Sequence, residues 1–285
     1  MTVLDAIQRS TEFLAQKGVE SPRLQIELLL AHVLRLPRLQ LYLNYQRLLT
    51  ETELDSVREL LRRRSRREPL QYIVGSTSFC GLEMTVNPAV LVPRPETELL
   101  AERAWHFLNQ LSTDSPVALD FGTGSGCIAI TLAVKCPGAR VFAVDVSTNA
   151  LELARQNAAS HKVAERIEFL VGDGFAAVPR PLPFDLIVSN PPYIPSAEVA
   201  HLQPEVREYE PRVALDGGAE GLIFFQRLAV ESLPFVKTGS RIMLELGYGQ
   251  EAAVRNILTR QKWVVEAVEA DYTGRPRILT ASWPA

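Results

Sequence analysis

VALDFGTGSG, residues 117 to 126, decides how the rest of the chain is read. An apolar stretch of strand length runs into glycines at alternate positions, Gly122, Gly124 and Gly126. Glycine accepts positive φ and lets a ligand approach the backbone, so a strand is expected to turn here into a helix at a ligand-binding edge. A tight turn without a ligand would use the same residues, and the choice between them rests on the strands further along. Strand-like runs recur at VFAVDVS (141–147), IEFLVGD (167–173), FDLIVSN (184–190) and RIMLELG (241–247). Helical stretches such as 149–160 separate the early ones. Near-continuous apolar strands with helices between them predict a parallel sheet covered on both faces. VVEAVEA (264–270) and RILTASW (277–283) have no helix between them and are expected to pair antiparallel.

Upstream the pattern is different. At 285 residues the chain exceeds one compact core, and about two domains are expected. Residues 1–72 are helical in pattern, with Val3, Leu4, Ile7 and Leu14 on one apolar stripe. Ser21 before Pro22 reads as an N-cap and first helical residue, and Thr50 with Glu53 as a capping box. A small helical bundle is expected. RRRSRRE (62–68) is the dense positive segment. It suits either a solvated helix end, where arginines complement the dipole, or contact with an acidic partner. The pieces YIVG, TSFCGLEMTV and AVLVP are β-like, and residues 73–92 are expected to form a β-hairpin linker. PRPETE (93–98) then opens a helix from about Glu96 to Leu108, at the start of a second domain spanning 93–285.

Composition narrows the function. Hydrophobic residues make up 47% and charged residues 22%, the balance of a soluble globular protein. A net charge of −3 argues against a chain that wraps nucleic acid, and no direct nucleic-acid partner is expected. Cys80, Cys127 and Cys136 are odd in number and lack CxxC spacing. Reduced buried thiols are expected rather than a disulfide framework or a zinc site. The first residues lack the pattern of a secretory signal, and no run approaches the ~20 apolar residues of a membrane span. The cytoplasm is the expected compartment.

The glycine loop gains weight from the next two strands. The second ends at Asp145, 19 residues after Gly126, where an acid that grips ribose hydroxyls should lie. The third ends in Asp173-Gly174-Phe175, which offers a polar group and an aromatic face to an adenine ring. Each acid alone could cap a helix; together, at successive strand ends, they point to a nucleoside. The G-x-G-x-G spacing of Gly122-Thr123-Gly124-Ser125-Gly126 is not the dinucleotide fingerprint and lacks the Lys-Ser/Thr of a triphosphate clamp. S-adenosylmethionine carries no phosphate and needs no such clamp, so it is the expected cofactor, with NAD as the runner-up. No metal is expected.

The fourth strand ends in Asn190-Pro191-Pro192-Tyr193 at the same sheet edge. Residues that precede proline are pushed toward extended geometry, and each proline has fixed φ and no N–H. The result is a stiff turn that presents carbonyl oxygens. Asn190 Oδ1 and the Pro191 carbonyl are expected to accept the two N–H groups of a planar, conjugated –NH2, with Tyr193 stacked on it. Turn chemistry alone would also place these residue types together.

At this point the chain resembles the HemK/PrmC family, protein-(glutamine-N5) methyltransferases that modify peptide chain release factors. SPRLQIELLLAHVL (21–34), EPLQYIVGSTSFCGL (68–82), VLVPRPETE (90–98), FGTGSG (121–126), SNPPYI (189–194) and EPRVALDGGAEGL (210–222) carry the likeness over nearly the whole length. It implies an α/β seven-stranded S-adenosylmethionine-dependent methyltransferase (Rossmann-like) domain, with an N-terminal helical bundle that contacts the release factor. It implies further that the 122–126 loop, Asp145, Asp173 to Phe175 and Asn190 hold the cofactor. Asn190 to Tyr193 would bind the glutamine of the Gly-Gly-Gln motif in class I release factors, the protein acting as a monomer. Family members often carry tryptophan after the third-strand acid where Gly174-Phe175 stand here, so the adenine contact falls to Phe175 or to backbone alone. A DNA amino-methyltransferase acting on adenine or cytosine is the alternative within the class.

Overall fold

The computed structural model describes residues 1–284, which fall into two compact units, residues 1–76 with 203–209 and residues 77–202 with 210–284. The first unit contains α1 (Val3–Gln16), α2 (Pro22–Leu34), α3 (Gln40–Leu43), α4 (Glu51–Ser65) and α5 (Leu70–Val74). Thr2 caps α1 and Thr50 caps α4 by reciprocal bonds with Asp5 and Glu53, satisfying backbone donors that a helix start leaves open. Ile7, Leu14, Ile26, Leu30 and Val57 form its core.

The second unit opens with a two-stranded sheet, β1 (Ser76–Phe79) and β2 (Leu82–Thr85). It continues with α6 (Pro95–Gln110), β3 (Val117–Phe121), α7 (Cys127–Lys135), β4 (Arg140–Asp145), α8 (Thr148–Ser160), β5 (Ile167–Val171) and β6 (Phe184–Ser189). After α9 (Pro204–Tyr209), which clusters with the first unit, come α10 (Ile223–Glu231), β7 (Val236–Glu245), α11 (Glu251–Arg260), β8 (Val264–Ala270) and β9 (Pro276–Ser282). The seven long strands form one sheet in the order β5-β4-β3-β6-β7-β9-β8. The first five are parallel and β9 is antiparallel to both neighbours. Successive strand residues serve opposite faces. Ala118 and Leu186 pack with Leu100 of α6 and Ile128 of α7, whereas Leu119 and Ile187 pack with Phe225 of α10 and Val254 of α11. The chain winds outward through β4 and β5, then returns to the other side of β3 at β6. That reversal is the place where an open α/β sheet leaves a crevice at its carboxyl edge.

Four local expectations need correction. YIVG is mostly the short helix α5, ended by Gly75 at φ +86, not a strand. AVLVP has no strand structure. Ser21 precedes Pro22 as expected but stands at φ +47 and makes no side-chain cap. RRRSRRE is not simply a solvated helix end. Arg64 is 3% exposed, and Arg64 Nη2 and Arg67 Nε donate to Glu205 Oε1 at 2.7 and 2.6 Å.

Candidate active site

The ends of β3, β4, β5 and β6 meet around one cavity in the second unit. Its wall includes Gly122, Gly124, Asp145, Asp173, Gly174, Asn190 and Pro192. Gly122 and Gly124 stand at φ +76 and +54, and a Cβ built on either would enter open space, so the loop forms a cradle. The loop is tied down from behind. Gly122 and Thr123 N–H donate to the Val144 carbonyl, and Gly124 N–H donates to Asp145 Oδ2 at 2.9 Å. Ser147 N–H donates to Asp145 Oδ1, so each carboxylate oxygen has one backbone donor and capacity for another. Burial pushes the Asp145 carboxyl up, against these N–H groups.

Beneath the cradle lies Asp120, 1% exposed. Its Oδ2 accepts from the Thr123 hydroxyl and the Ala129 N–H, while Oδ1 is buried without a partner. Burial raises its pKa to about 7. Thr123 and Ser125 are buried and do not line this cavity, and Gly126 is packed against Ala154 and Ile130. These three shape the loop from below.

The aromatic face expected at Phe175 is not offered to the cavity. Its ring is 3% exposed and sits 5.2 Å from Phe121 and 5.3 Å from Phe235, because the core beneath β5 takes it. Asp173 and Gly174 border the cavity instead, and Arg227 of α10 holds Asp173 Oδ1 at 2.7 Å. Sequence reasoning missed Phe224, Val146 and Val213 in the wall, as well as Ala89 to Leu91 from the supposed linker. Among the described lining residues there is no lysine, arginine or histidine, but there are two carboxylates. That donor set suits a neutral or cationic nucleoside and disfavours a phosphate.

Asn190 follows β6, next to the end of β3, where Ser189 Oγ donates to the Phe121 carbonyl at 2.7 Å. Its Nδ2 donates to Thr97 Oγ1 at 3.0 Å. Thr97 donates in turn to Glu245 Oε2 at 2.6 Å, and the Tyr193 hydroxyl donates to Glu245 Oε1 at 3.1 Å. Glu245 is 1% exposed; burial raises its pKa, opposed by these donors and by Arg277. Pro191 is buried, and neither it nor Tyr193 lines the cavity. Gln250 donates to the Tyr193 carbonyl at 2.8 Å.

The segment EPRVALDGGAEGL cradles this turn. Ile194 N–H donates to the Leu215 carbonyl and Gly217 N–H to the Ile194 carbonyl. A Cβ on Gly221 would lie 2.2 Å from the Tyr193 carbonyl oxygen. The same segment meets PRPETE, since Arg94 Nη2 donates to the buried Glu210 Oε1 at 2.6 Å. Two motifs far apart in the chain therefore form one support for a third.

Residues 5–75 match the PrmC N-terminal domain and residues 102–204 the methyltransferase small domain. A release factor glutamine methyltransferase of Chlorobaculum tepidum is 49% identical over 90% of this chain and 89% of its own length. One from Geobacter sulfurreducens is 44% identical over 98% and 95%. A methyltransferase from Pyrococcus furiosus, 19% identical with a TM-score of 0.54, covers 79% of this chain and 99% of its own, and shares the fold. The first two relatives, alike over nine-tenths or more of the chain, make it a methyltransferase. Within that class, the chain belongs to the release factor glutamine methyltransferases.

Proposed function

We propose that this chain transfers a methyl group from S-adenosylmethionine to the side-chain amide nitrogen of the glutamine in the Gly-Gly-Gln motif of class I peptide chain release factors. The observation that carries this reading is that Asn190 and Pro192 share one cavity wall with Gly122, Gly124 and Asp145. When bound, S-adenosylmethionine supplies an electrophilic methyl group on a sulfonium, a cation that suits a cavity with two carboxylates. Gly122 and Gly124 admit it, Asp145 accepts from its ribose hydroxyls, and Asp173 with the Gly174 backbone borders its base.

An amide nitrogen is planar and unreactive because its lone pair is delocalised. Asn190 Oδ1, on the cavity wall, accepts one of its N–H groups, aims the nitrogen at the methyl donor, and stabilises positive charge as it develops. Tyr193 stiffens the turn and limits water. Alignment of two bound reactants can supply about 7–11 kcal/mol of the barrier. The helical unit takes a second part of the release factor, in the cytoplasm where that factor works. Likeness to protein methyltransferases over nearly the whole chain favours this substrate over a flipped DNA base.

The test is mass spectrometry of a release factor incubated with the chain and S-adenosylmethionine. The Gly-Gly-Gln glutamine should gain one CH2; an unmodified glutamine refutes the substrate. Asn190→Ala should lower turnover on the order of 100-fold or more while cofactor affinity stays within a few-fold. A variant as fast as wild type refutes the role of Asn190.

A further inference from the structure

We propose that Glu245 and Thr97 form a proton-ordered relay that dictates which end of the Asn190 amide faces the cavity, making both positioning residues for the transfer proposed above, on which this role depends. The direction of each hydrogen bond sets the order. Threonine has one hydroxyl proton, and that of Thr97 is directed at Glu245 Oε2, 2.6 Å away. The other oxygen of the carboxylate takes the Tyr193 hydroxyl. Toward Asn190, Thr97 therefore offers only lone pairs, and the amide must bring Nδ2 to it, as the 3.0 Å contact shows.

The converse orientation would set Asn190 Oδ1 against the lone pairs of Thr97. Two acceptors at that separation repel, and the flipped amide would also point its NH2 at the methyl-accepting nitrogen. A donor would then face a donor. One buried carboxylate thus decides whether the turn offers the substrate an acceptor or a donor. The same carboxylate holds Tyr193, so the two ends of the Asn190–Tyr193 turn are fixed by a single anchor at the end of β7. None of these bonds runs to the glycine cradle.

The experiment uses the full chain, a class I release factor and S-adenosylmethionine, with kcat, KM, cofactor Kd and melting temperature measured for each variant. Thr97→Val keeps the shape and removes the hydroxyl. It should lower kcat on the order of 10- to 100-fold, the scale of a misplaced reacting group, with cofactor Kd essentially unchanged. Thr97→Ser restores the hydroxyl and should recover most of the rate. In an Asn190→Ala background, Thr97→Val should cause no further loss, because nothing remains to orient. A wild-type kcat for Thr97→Val, or losses that multiply in the double variant, overturns the relay. Neutron diffraction of the wild-type chain reads the protons without any variant. Deuterium between Thr97 and Glu245, and two on the Asn190 nitrogen facing Thr97, support it; deuterium between Thr97 and Asn190 Oδ1 overturns it. Absence of methylation by the wild-type chain defeats the functional reading and the relay's catalytic role together, whereas methylation with an indifferent Thr97→Val defeats the relay alone.

Discussion

Replacing Gly217 by alanine tests whether the geometry of the Asn190–Tyr193 turn is imposed from outside it. Gly217 does not stand at positive φ, so the substitution adds a steric demand and no backbone strain. The new Cβ would lie 2.7 Å from the Pro192 carbonyl oxygen, 2.9 Å from Tyr193 Cα and 2.9 Å from Gly221 Cα. All three are backbone atoms, and none can rotate away. Ordinary contact begins at 3.4 Å, so the turn must retreat by some 0.7 Å. Two prolines with fixed φ keep it from absorbing the push internally, and it must move as a body. Overpacking of this kind costs about 1–3 kcal/mol of stability. A shift approaching 1 Å in a group that positions a reactant lowers kcat by up to about 100-fold. Gly217 does not line the cofactor cavity, so binding of S-adenosylmethionine should stay within a few-fold. The assay is methyl transfer at saturating release factor and at a temperature where melting curves show the variant folded, beside calorimetric titration of the cofactor. A folded Gly217→Ala with wild-type kcat refutes the reasoning. So does a loss of cofactor affinity as large as the loss of rate.

The remaining predictions concern stability. Glu205→Ala removes the partner of Arg64 and Arg67 and leaves Arg64, 3% exposed, short of a counter-charge. It should destabilise the helical unit by about 2–4 kcal/mol in denaturant melts and speed hydrogen exchange of residues 203–209; unchanged exchange there refutes the clasp. Burial opposes ionisation of Glu205, but hydrogen bonds from Arg67 and Arg64 hold its carboxyl below the usual range, so this contribution persists at neutral pH and is lost on acidification. Asp120 behaves oppositely. Its pKa rises from 3.8 to about 7 through burial, so its contribution is present below pH 3.8 and fades as pH climbs toward 7. Asp120→Asn should remove a decline of a few kcal/mol between those limits, and a melt series with the same pH slope as wild type refutes it.

How much of this was legible in the sequence depends on the range of the forces involved. Strands bounded by glycine, the Thr50–Glu53 box and the proline-opened α6 are local, and each was readable from neighbouring residues. YIVG was misread because a short apolar run with β-branched residues fits strand and helix alike. Its flanks held the answer, since Pro69 starts and Gly75 ends a single helical segment. The arginine run defeated local reading for another reason. Its partner Glu205 lies about 140 residues away, and no pattern near 62–68 reports it.

The site divides along the same line. Glycines at a strand end and acids after the next strands are local signals, and they brought the cavity wall together around Gly122, Gly124, Asp145 and Asn190. Phe175 carried the right chemistry in the wrong direction, because period-two geometry in the strand before it does not fix where a ring points after a glycine. The supports of the turn are non-local, yet one left a trace. Glu245 is an acid inside the apolar run RIMLELG, which a buried parallel strand does not tolerate without partners. Its demand for hydroxyl donors is met by Thr97 and Tyr193, one from PRPETE and one from the turn itself. Gly217 and Gly221 belong to the other distant motif and touch the same turn. Three motifs therefore recur in one chain because each is a contact surface for the others: a stiff acceptor turn holds position only when a buried anion fixes its polarity from below and side-chain-free backbone closes over it.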